Sequence, residues 1–471
     1  MDIHEKLKPF FEPETIAVIG ASKSPDKGGY VVVKNLLNYR KGKVYPINPT
    51  VDKILGLKTY PTILDVPDEV DLAAIIIPAG NVPKVLRECA QKKVKAAVIL
   101  SQGFSEAGEE GKTLQKEVDK IIRESGIRVI GPNSVGLINT SNSLVVSFVP
   151  FQEFRKGDVS ITSQTGIFCG NMLYWFLSFD WFGLSKSIDL GNKCDVDDAE
   201  ILEYLGEDSE TKIILLHMEG VKDGRKFLEA AKKVSKIKPI LCLKGGKTWA
   251  GARAVASHTG SIAGLDQIYD AAFKQAGVIR VESLNDFLDF TQAFSFSTIP
   301  KGNRVAILSI SGGVGAILLD LCVEEGLQPV ELSNQTIKKL KEVSPSYVNV
   351  SNPVDLWPSV MSFGARKAYP TILKTVLEDP NVDLIVVFTF LSEKFPENWG
   401  FKPEFVLEAI KERVNKPVAV TVIGEALSLE KLNRIMSSLH EKGILFFQSL
   451  EAAVKSLAAL YKYGKYKKDF V

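Results

Sequence analysis

The chain is 471 residues long, which at roughly 150 residues per domain corresponds to about three domains. Hydrophobic residues make up 45% and charged residues 24%, a composition that excludes a disordered or collagen-like chain. Lys plus Arg total 58 against 56 for Asp plus Glu, so the net charge of +2 gives no broad field for nucleic acid, and any anion must be bound locally.

The N-terminal stretch MDIHEKLKPFFEPE is charged throughout and lacks the apolar run of a signal peptide, so export is not expected. Cys89, Cys169, Cys194, Cys242 and Cys322 lie far apart without a CxxC pair, which suggests neither a disulfide framework nor a metal cluster. A reducing, cytoplasmic setting fits best. Further along, β-branched runs alternate with Leu- and Lys-rich segments of helical spacing, the mark of α/β architecture with mainly parallel sheets. One pattern of buried strand, small-residue turn and helix recurs three times, opening at Ile16–Ser22, Asp158–Gly166 and Arg304–Gly315. Each opening reaches an asparagine-containing turn about thirty to fifty residues later, a spacing that suits strand, helix, strand. The expectation is three tandem parallel-sheet domains of nucleotide-binding or flavodoxin-like type over residues 1–149, 150–299 and 300–471.

In the first domain, further strands are predicted at Leu72–Ile77, Ala96–Leu100 and Arg128–Ile130, each followed by a polar or glycine-rich loop. These are Pro78-Ala79-Gly80, Ser101-Gln102-Gly103-Phe104 and Gly131-Pro132-Asn133-Ser134. Ligands of open α/β sheets sit beyond the carboxyl ends of the strands, so the loops should converge on one site. The turn Gly20-Ala21-Ser22 can face backbone N–H groups toward an anion such as a pyrophosphate, with Lys23 and Lys27 adding charge; such a turn also serves close packing alone. A GxGxxG is missing, and Asn48-Pro49-Thr50 stands where an acidic ribose ligand would close the second strand, which weakens a nicotinamide-dinucleotide reading.

Val159–Phe179 carries no charge, but its first half is too polar to span a bilayer. It reads as a buried strand, a turn at Gln164-Thr165-Gly166, and an interior helix apolar on all sides. Ser163, Gln164, Thr165 and Gly166 would then gather donors at a helix start, where about half a positive charge attracts phosphate; a simple N-cap by Ser163 or Thr165 is the alternative.

Of the four histidines, His4 and His440 read as surface residues and His217, closing the apolar strand IILLH, as a satisfied core residue. His258 sits among small polar residues, Ala256-Ser257-His258-Thr259-Gly260-Ser261, a loop composition that leaves an imidazole accessible and suits a nucleophile meeting more than one partner. Lys244-Gly245-Gly246-Lys247 offers charge and backbone donors, either for phosphate or as a plain turn. Glu219 ends a neighbouring strand, and a carboxylate there can hold one nitrogen of His258 so that the other is nucleophilic.

The ordered series IAVIGAS, YPINP, IIIPAG, SQGFSE, GPNSVGLIN, SQTG, DLGNKCDVD, MEGV, KGGK, SHTGS, SISGGVG and NPVDL resembles the α subunit of ADP-forming acetyl-CoA synthetases, within the succinyl-CoA synthetase superfamily. The resemblance runs from about Leu7 into the C-terminal third. It implies a Rossmann-like CoA-binding domain followed by two flavodoxin-like domains. It implies the conversion of acyl-CoA, ADP and phosphate to carboxylate, ATP and CoA through an acyl phosphate and a phosphohistidine. His258 matches the phosphorylated residue and Glu219 the residue that orients it, while Gly20, Ser22, Lys27, Asn48, Pro78, Gly103, Phe104 and Asn133 lie on motifs that hold CoA in relatives. Thr50 stands where relatives often have lysine. No segment resembles an ATP-grasp fold, so the resemblance implies an ATP-grasp β subunit carrying Mg and ADP or ATP, in an α2β2 heterotetramer. Ser311-Gly312-Gly313-Val314-Gly315 can cradle an anion, although in the family the third domain serves assembly and packing. A CoA-binding regulatory module that kept the fold without the reaction is the alternative, tested by CoA binding without phosphorylation.

Overall fold

Parallel strands buried on both faces carry uninterrupted apolar runs, and TIAVI, LAAI and AAVI form such strands at the start of the chain. The computed structural model describes residues 2–151, 154–259, 266–391, 396, 399–400, 402–410, 412–424 and 427–469, with backbone alone at 256–259, 408–409, 424 and 469. The chain divides into two compact units, Met1–Ser178 with Phe182–Glu282, and Phe179–Trp181 with Ser283–Val471.

The first unit begins with β1 (Thr15–Ile19) and β2 (Lys43–Ile47). A short antiparallel ribbon, β3 (Lys53–Ile54) and β4 (Leu57–Lys58), precedes β5 (Leu72–Ile75), β6 (Ala96–Ile99) and β7 (Arg128–Ile130). The sheet order β2-β1-β5-β6-β7 is parallel throughout. Alternation along β1 sends Ile16 and Val18 to one hydrophobic core and Ala17 and Ile19 to another. Helix Gly28–Leu36 covers the first face through Val32, Val33 and Leu36; helices Val82–Gln91 and Gly108–Ser125 cover the second through Leu86, Val118 and Ile121.

A hairpin of β8 (Gly136–Asn139) and β9 (Leu144–Ser147) follows, then β10 (Lys156–Ser163), β11 (Leu184–Asp189), β12 (Ile213–Met218), β13 (Ile240–Lys244) and β14 (Ile279–Val281). Their order is β14-β13-β12-β10-β11-β8-β9. The chain therefore departs from the expected break at 149: β8 pairs antiparallel with β11 and gives residues 136–147 to the second sheet. The second sheet is mixed, because the short hairpin turn reverses direction where a parallel neighbour would need a long crossover. One core runs from Val18 and Val32 to Ile188, Ile214 and Met218, which is why both sheets belong to a single unit.

The second unit holds β15 (Arg304–Ser309), β16 (Gln328–Pro329), β17 (Val354–Asp355), β18 (Leu384–Leu391), β19 (Val418–Gly424) and β20 (Ile444–Phe447). They form a parallel sheet in the order β16-β15-β18-β19-β20, with β17 on the end of β15. Helix Leu284–Phe296, expected within the second domain, belongs to this unit and packs on the long helix Leu450–Asp469. His440 is buried rather than exposed. Its ring stacks on Phe296 at 4.0 Å, and its Nε2 lies 3.2 Å from Gln292 Oε1. The charged residues of helix Leu429–His440 occupy its other face, a periodicity that composition alone conceals. Among the described residues no helix is long and apolar enough to cross a membrane.

Candidate functional site

The carboxyl ends of the first sheet's strands, together with the end of β10, open on a cavity of about 1120 Å³ within the first unit. Gly20, Ala21 and Ser22 follow β1, Asn48 follows β2, Pro78 follows β5, Ser101 and Gln102 follow β6, and Asn133, Ser134 and Val135 follow β7. Gln164, Thr165 and Gly166 close the opposite wall. The volume suits a ligand larger than a nucleotide base, and the lining combines neutral donors with apolar surface, as small-molecule clefts do.

Two glycines make the first wall possible. Gly20 has φ +93°, and a Cβ there would lie 2.1 Å from the Ile76 carbonyl oxygen; a Cβ on Gly29 would lie 2.0 Å from the Gly20 carbonyl oxygen. The helix starting at Gly28 thus approaches the turn as backbone against backbone, with Gly28 and Gly29 themselves lining the cavity. Lys27 precedes it and lines the cavity, whereas Lys23 does not. Asn48 donates Nδ2 to the Ala21 carbonyl at 2.8 Å and accepts from the Thr50 N–H at 2.9 Å, so its amide fastens the turn.

The loop after β6 differs from expectation. Gly103 and Phe104 do not line the cavity, and Phe104 is fully buried, because their N–H groups donate to Glu106 Oε1 at 2.6 and 3.1 Å. Glu106 itself lines the cavity, and its Oε2 accepts from Asn192 Nδ2 at 2.6 Å. Burial pushes its carboxyl upward, but the hydrogen bonds from Asn192 and these N–H groups hold it below the usual carboxylate range. Ser101 Oγ ties this loop to the preceding one, donating to the Ile77 carbonyl at 2.6 Å.

The far wall is a turn more than a helix end. Gly170 interrupts the segment, leaving helices Gly166–Cys169 and Asn171–Leu177, too short to carry much macrodipole. Nor is the segment interior on all sides, since Ile167, Tyr174 and Trp175 are exposed. Ser163 is buried and binds within its own turn, accepting from the Thr165 N–H at 3.0 Å and donating to the Thr165 carbonyl at 2.8 Å; it does not line the cavity. Gln164, Thr165 and Gly166 do.

Behind them lies a buried polar layer. Glu219 and Gly220 donate their N–H groups to Gln164 Oε1 at 3.0 and 3.2 Å. Lys193, in left-handed backbone at φ 54°, sends its ammonium to Gln164 Oε1 at 2.9 Å, Asp198 Oδ2 at 2.7 Å and the Gly220 carbonyl at 2.7 Å. Asp189 accepts from the Val135 N–H at 2.6 Å; burial, with Glu219 adding repulsion, pushes its carboxyl up to about 7 against that bond and one from Gly191. Sequence reading missed Glu106, Asp189 and Lys193 as functional positions. The available signal was a charged residue in the loop after a strand for Glu106 and Lys193, and at the last position of a strand for Asp189.

His217 is the core residue expected: it stacks on Phe168 at 4.4 Å, and burial, with Lys193 and Lys244 nearby, pushes its imidazole down to about 3. A Cβ on Gly245 would lie 3.7 Å from both His217 Nε2 and Glu219 Cγ, so the Lys244-Gly245-Gly246 turn rests on these two residues. Lys244 is buried, with its ammonium 4.5 Å from the Tyr269 ring centre, and burial pushes its pKa down. The His258 segment is helical where a loop was expected, as helix Trp249–Thr259 carries its backbone. The His258 side chain and Gly260–Leu265 lie outside the described residues. This helix approaches the short turn Ser105–Ala107, which bears Glu106, and Gly246 faces its Ala252 and Val255. Among the described residues no group of three or more His, Cys, Asp or Glu side chains is placed to hold a metal.

Residues 14–140 match the family described as CoA binding domain, 156–294 the succinyl-CoA ligase like flavodoxin domain, and 305–469 the ligase-CoA domain. This defines the class as an α/β ligase chain of the succinyl-CoA ligase type. The acetate–CoA ligase [ADP-forming] II of Archaeoglobus fulgidus is 41% identical, matching 98% of this chain and 67% of its own length. The α subunit of the corresponding Pyrococcus furiosus enzyme is also 41% identical, with 98% of each chain covered. The dinucleotide-forming acetyl-coenzyme A synthetase 1 of Candidatus Korarchaeum cryptofilum, solved with phosphate and ADP, superposes with a TM-score of 0.87 at 35% identity, covering 98% of this chain and 97% of that one. The chain belongs to the ADP-forming acetate–CoA ligase family.

Proposed function

We propose that the chain is the α subunit of an ADP-forming acyl-CoA synthetase, with acyl-CoA in the cavity of the first unit and phosphate against Gln164-Thr165-Gly166. The observation that carries this reading is the cavity itself. One opening joins the strand ends of a CoA-binding-type sheet to a turn of neutral donors from the adjoining sheet. Ser22, Lys27, Asn48, Pro78 and Asn133 line the part assigned to CoA, with Gly20 giving its turn the approach a phosphate needs. Gly103 and Phe104 serve CoA indirectly by holding Glu106, and Ser163 serves phosphate by shaping its turn.

In this scheme a phosphate oxygen attacks the thioester carbonyl, the C–S bond breaks, and CoA leaves with the proton. His258 then attacks phosphorus of the acyl phosphate through a ring nitrogen, and the P–O bond to the acyl group breaks to release the carboxylate. The Gly166 backbone N–H and the Gln164 amide stabilise charge on the transferring oxygens, since the N–H groups of Gln164 and Thr165 are held by the His217 carbonyl and Ser163 Oγ. Glu219 orients the imidazole; its backbone is fixed 3.0 Å from Gln164 Oε1, and the turn that faces the His258 helix rests against its side chain. The phosphoryl group passes to ADP with Mg on an ATP-grasp partner subunit, in an α2β2 assembly in the cytoplasm. Relatives named as α subunits support a separate partner.

The complex of chain and partner, incubated with radiolabelled ATP and Mg, is expected to yield an acid-labile, base-stable phosphoprotein that His258→Ala abolishes. Equal labelling of the variant would overturn the mechanism. CoA binding without phosphorylation under any condition would favour the regulatory module instead.

A further inference from the structure

We propose that Lys193, neutralised by Asp198, is a positioning residue that fixes the polarity of the Gln164 amide, so that the side chain gives its NH₂ group to the inorganic phosphate. This rests on the placement of phosphate at the Gln164–Gly166 turn. Among the described residues, Gln164 Oε1 meets three donors: the Lys193 ammonium at 2.9 Å and the N–H groups of Glu219 and Gly220 at 3.0 and 3.2 Å. A reversed amide would set its NH₂ against three donors in a layer where Gln164, Lys193 and Glu219 are each buried, and buried like-polarity contacts are costly. With the oxygen held inward, the proposal gives the nitrogen end to a phosphate in the cavity that Gln164 lines.

The backbone N–H of Gln164 is already committed to the His217 carbonyl at 3.2 Å, so the side chain is what this residue contributes. Lys193 could supply the cavity with positive charge only by leaving Asp198 and the Gly220 carbonyl, both 2.7 Å away. It acts instead as a strut. Through one ammonium it sets the amide and, through Gly220, the strand end bearing Glu219, so the groups assigned to phosphate and to the histidine share a single anchor.

The test uses the chain with its partner subunit and follows phosphate-dependent release of the CoA thiol from acetyl-CoA, with CoA affinity measured separately by calorimetry. Lys193→Met alone would strand a buried carboxylate, so K193M is combined with D198N to remove both charges together. Gln164→Glu keeps the inward oxygen but replaces NH₂ with a carboxylate oxygen. Both K193M/D198N and Q164E are expected to raise the KM for phosphate at least tenfold while the CoA dissociation constant stays within twofold. A merely structural role would weaken both ligands together, and that result, or an unchanged phosphate KM, overturns the proposal. If the double variant does not fold, Q164E decides by the same criterion. If the unmutated complex shows no phosphate-dependent thiol release, the reaction assigned above fails and this inference with it; the variant results bear on this inference alone.

Discussion

Replacing Gly29 by alanine tests whether the contact between the β1 turn and its helix builds the CoA end of the cavity. The added Cβ would stand 2.0 Å from the Gly20 carbonyl oxygen, 2.9 Å from its carbon and 3.2 Å from the Ala21 Cα. All three are backbone atoms, so no rotamer change relieves the overlap, and the helix must retreat from the turn by about 1 Å or more, a strain of about 1–3 kcal/mol. Gly20, Ala21, Ser22, Gly28 and Gly29 all line the cavity, so that retreat spreads the donors meant to converge on one anion. CoA affinity is expected to fall at least about tenfold, equivalent to about 1.4 kcal/mol, with a lowered melting temperature. Gly80→Ala is the control, because a Cβ there meets nothing within 4 Å. Calorimetric titration with CoA and a thermal melt read both effects. If G29A binds CoA and melts like the unmutated chain, the close approach does not shape the site.

Glu106→Gln leaves one acceptor oxygen for the N–H groups of Gly103 and Phe104 and turns an amide NH₂ toward one of the three donors, including Asn192 Nδ2. A loss of about 1–3 kcal/mol in urea denaturation, together with weaker CoA binding, is expected; a neutral result would remove Glu106 as the tie between the two sheets' loops. His440→Phe tests the buried imidazole of the second unit. Burial, with Arg413 nearby, lowers its pKa to about 3, so the unfolded chain takes up the proton first and stability falls as pH drops below about 6.5. Relative to H440F, the unmutated chain should lose about 2 kcal/mol between pH 6.5 and 4.5, the slope approaching about 1.4 kcal/mol per pH unit at the lower end. Asp289, raised to about 7 by burial and Asp286, has the opposite sign but cancels in the difference; parallel pH profiles would show that His440 titrates normally.

Strand positions and the convergence of loops were legible because each depends on local pattern. Thr15–Ile19, Leu72–Ile75 and Ala96–Ile99 are short apolar runs followed by small residues, and such runs have few alternatives. The hairpin β8–β9 was not, because its partner is β11, and nothing local in GLIN or LVVS distinguishes the sheet just completed from the one to come. His440 was misread for a related reason. Its helix is rich in charge, but burial is set by the face that meets Phe296 and Gln292, far away in sequence. The broken helix after Thr165 shows the limit of apolar content as a guide, since Gly170 divides it and leaves Tyr174 and Trp175 exposed.

The near-neutral charge of the chain has a counterpart in the cavity. Among the described residues, Lys27 and Glu106 are the only charged ones lining it, and Glu106 is engaged with Gly103, Phe104 and Asn192. Lys193, the buried cation bonded to Gln164 of the turn proposed to hold phosphate, is matched by Asp198 at 2.7 Å. In the proposed site, anion binding at that turn rests on the Gln164 amide and the Gly166 N–H, neutral donors held in fixed directions. Such donors lose little strength as salt rises, because their effect depends on contact and orientation rather than on a long-range field. They also explain why the supporting residues matter as much as the lining ones. A neutral donor turned away contributes nothing, so Asn48 toward Ala21, Glu106 toward the β6 loop and Lys193 toward Gln164 each convert a local turn into a directed one.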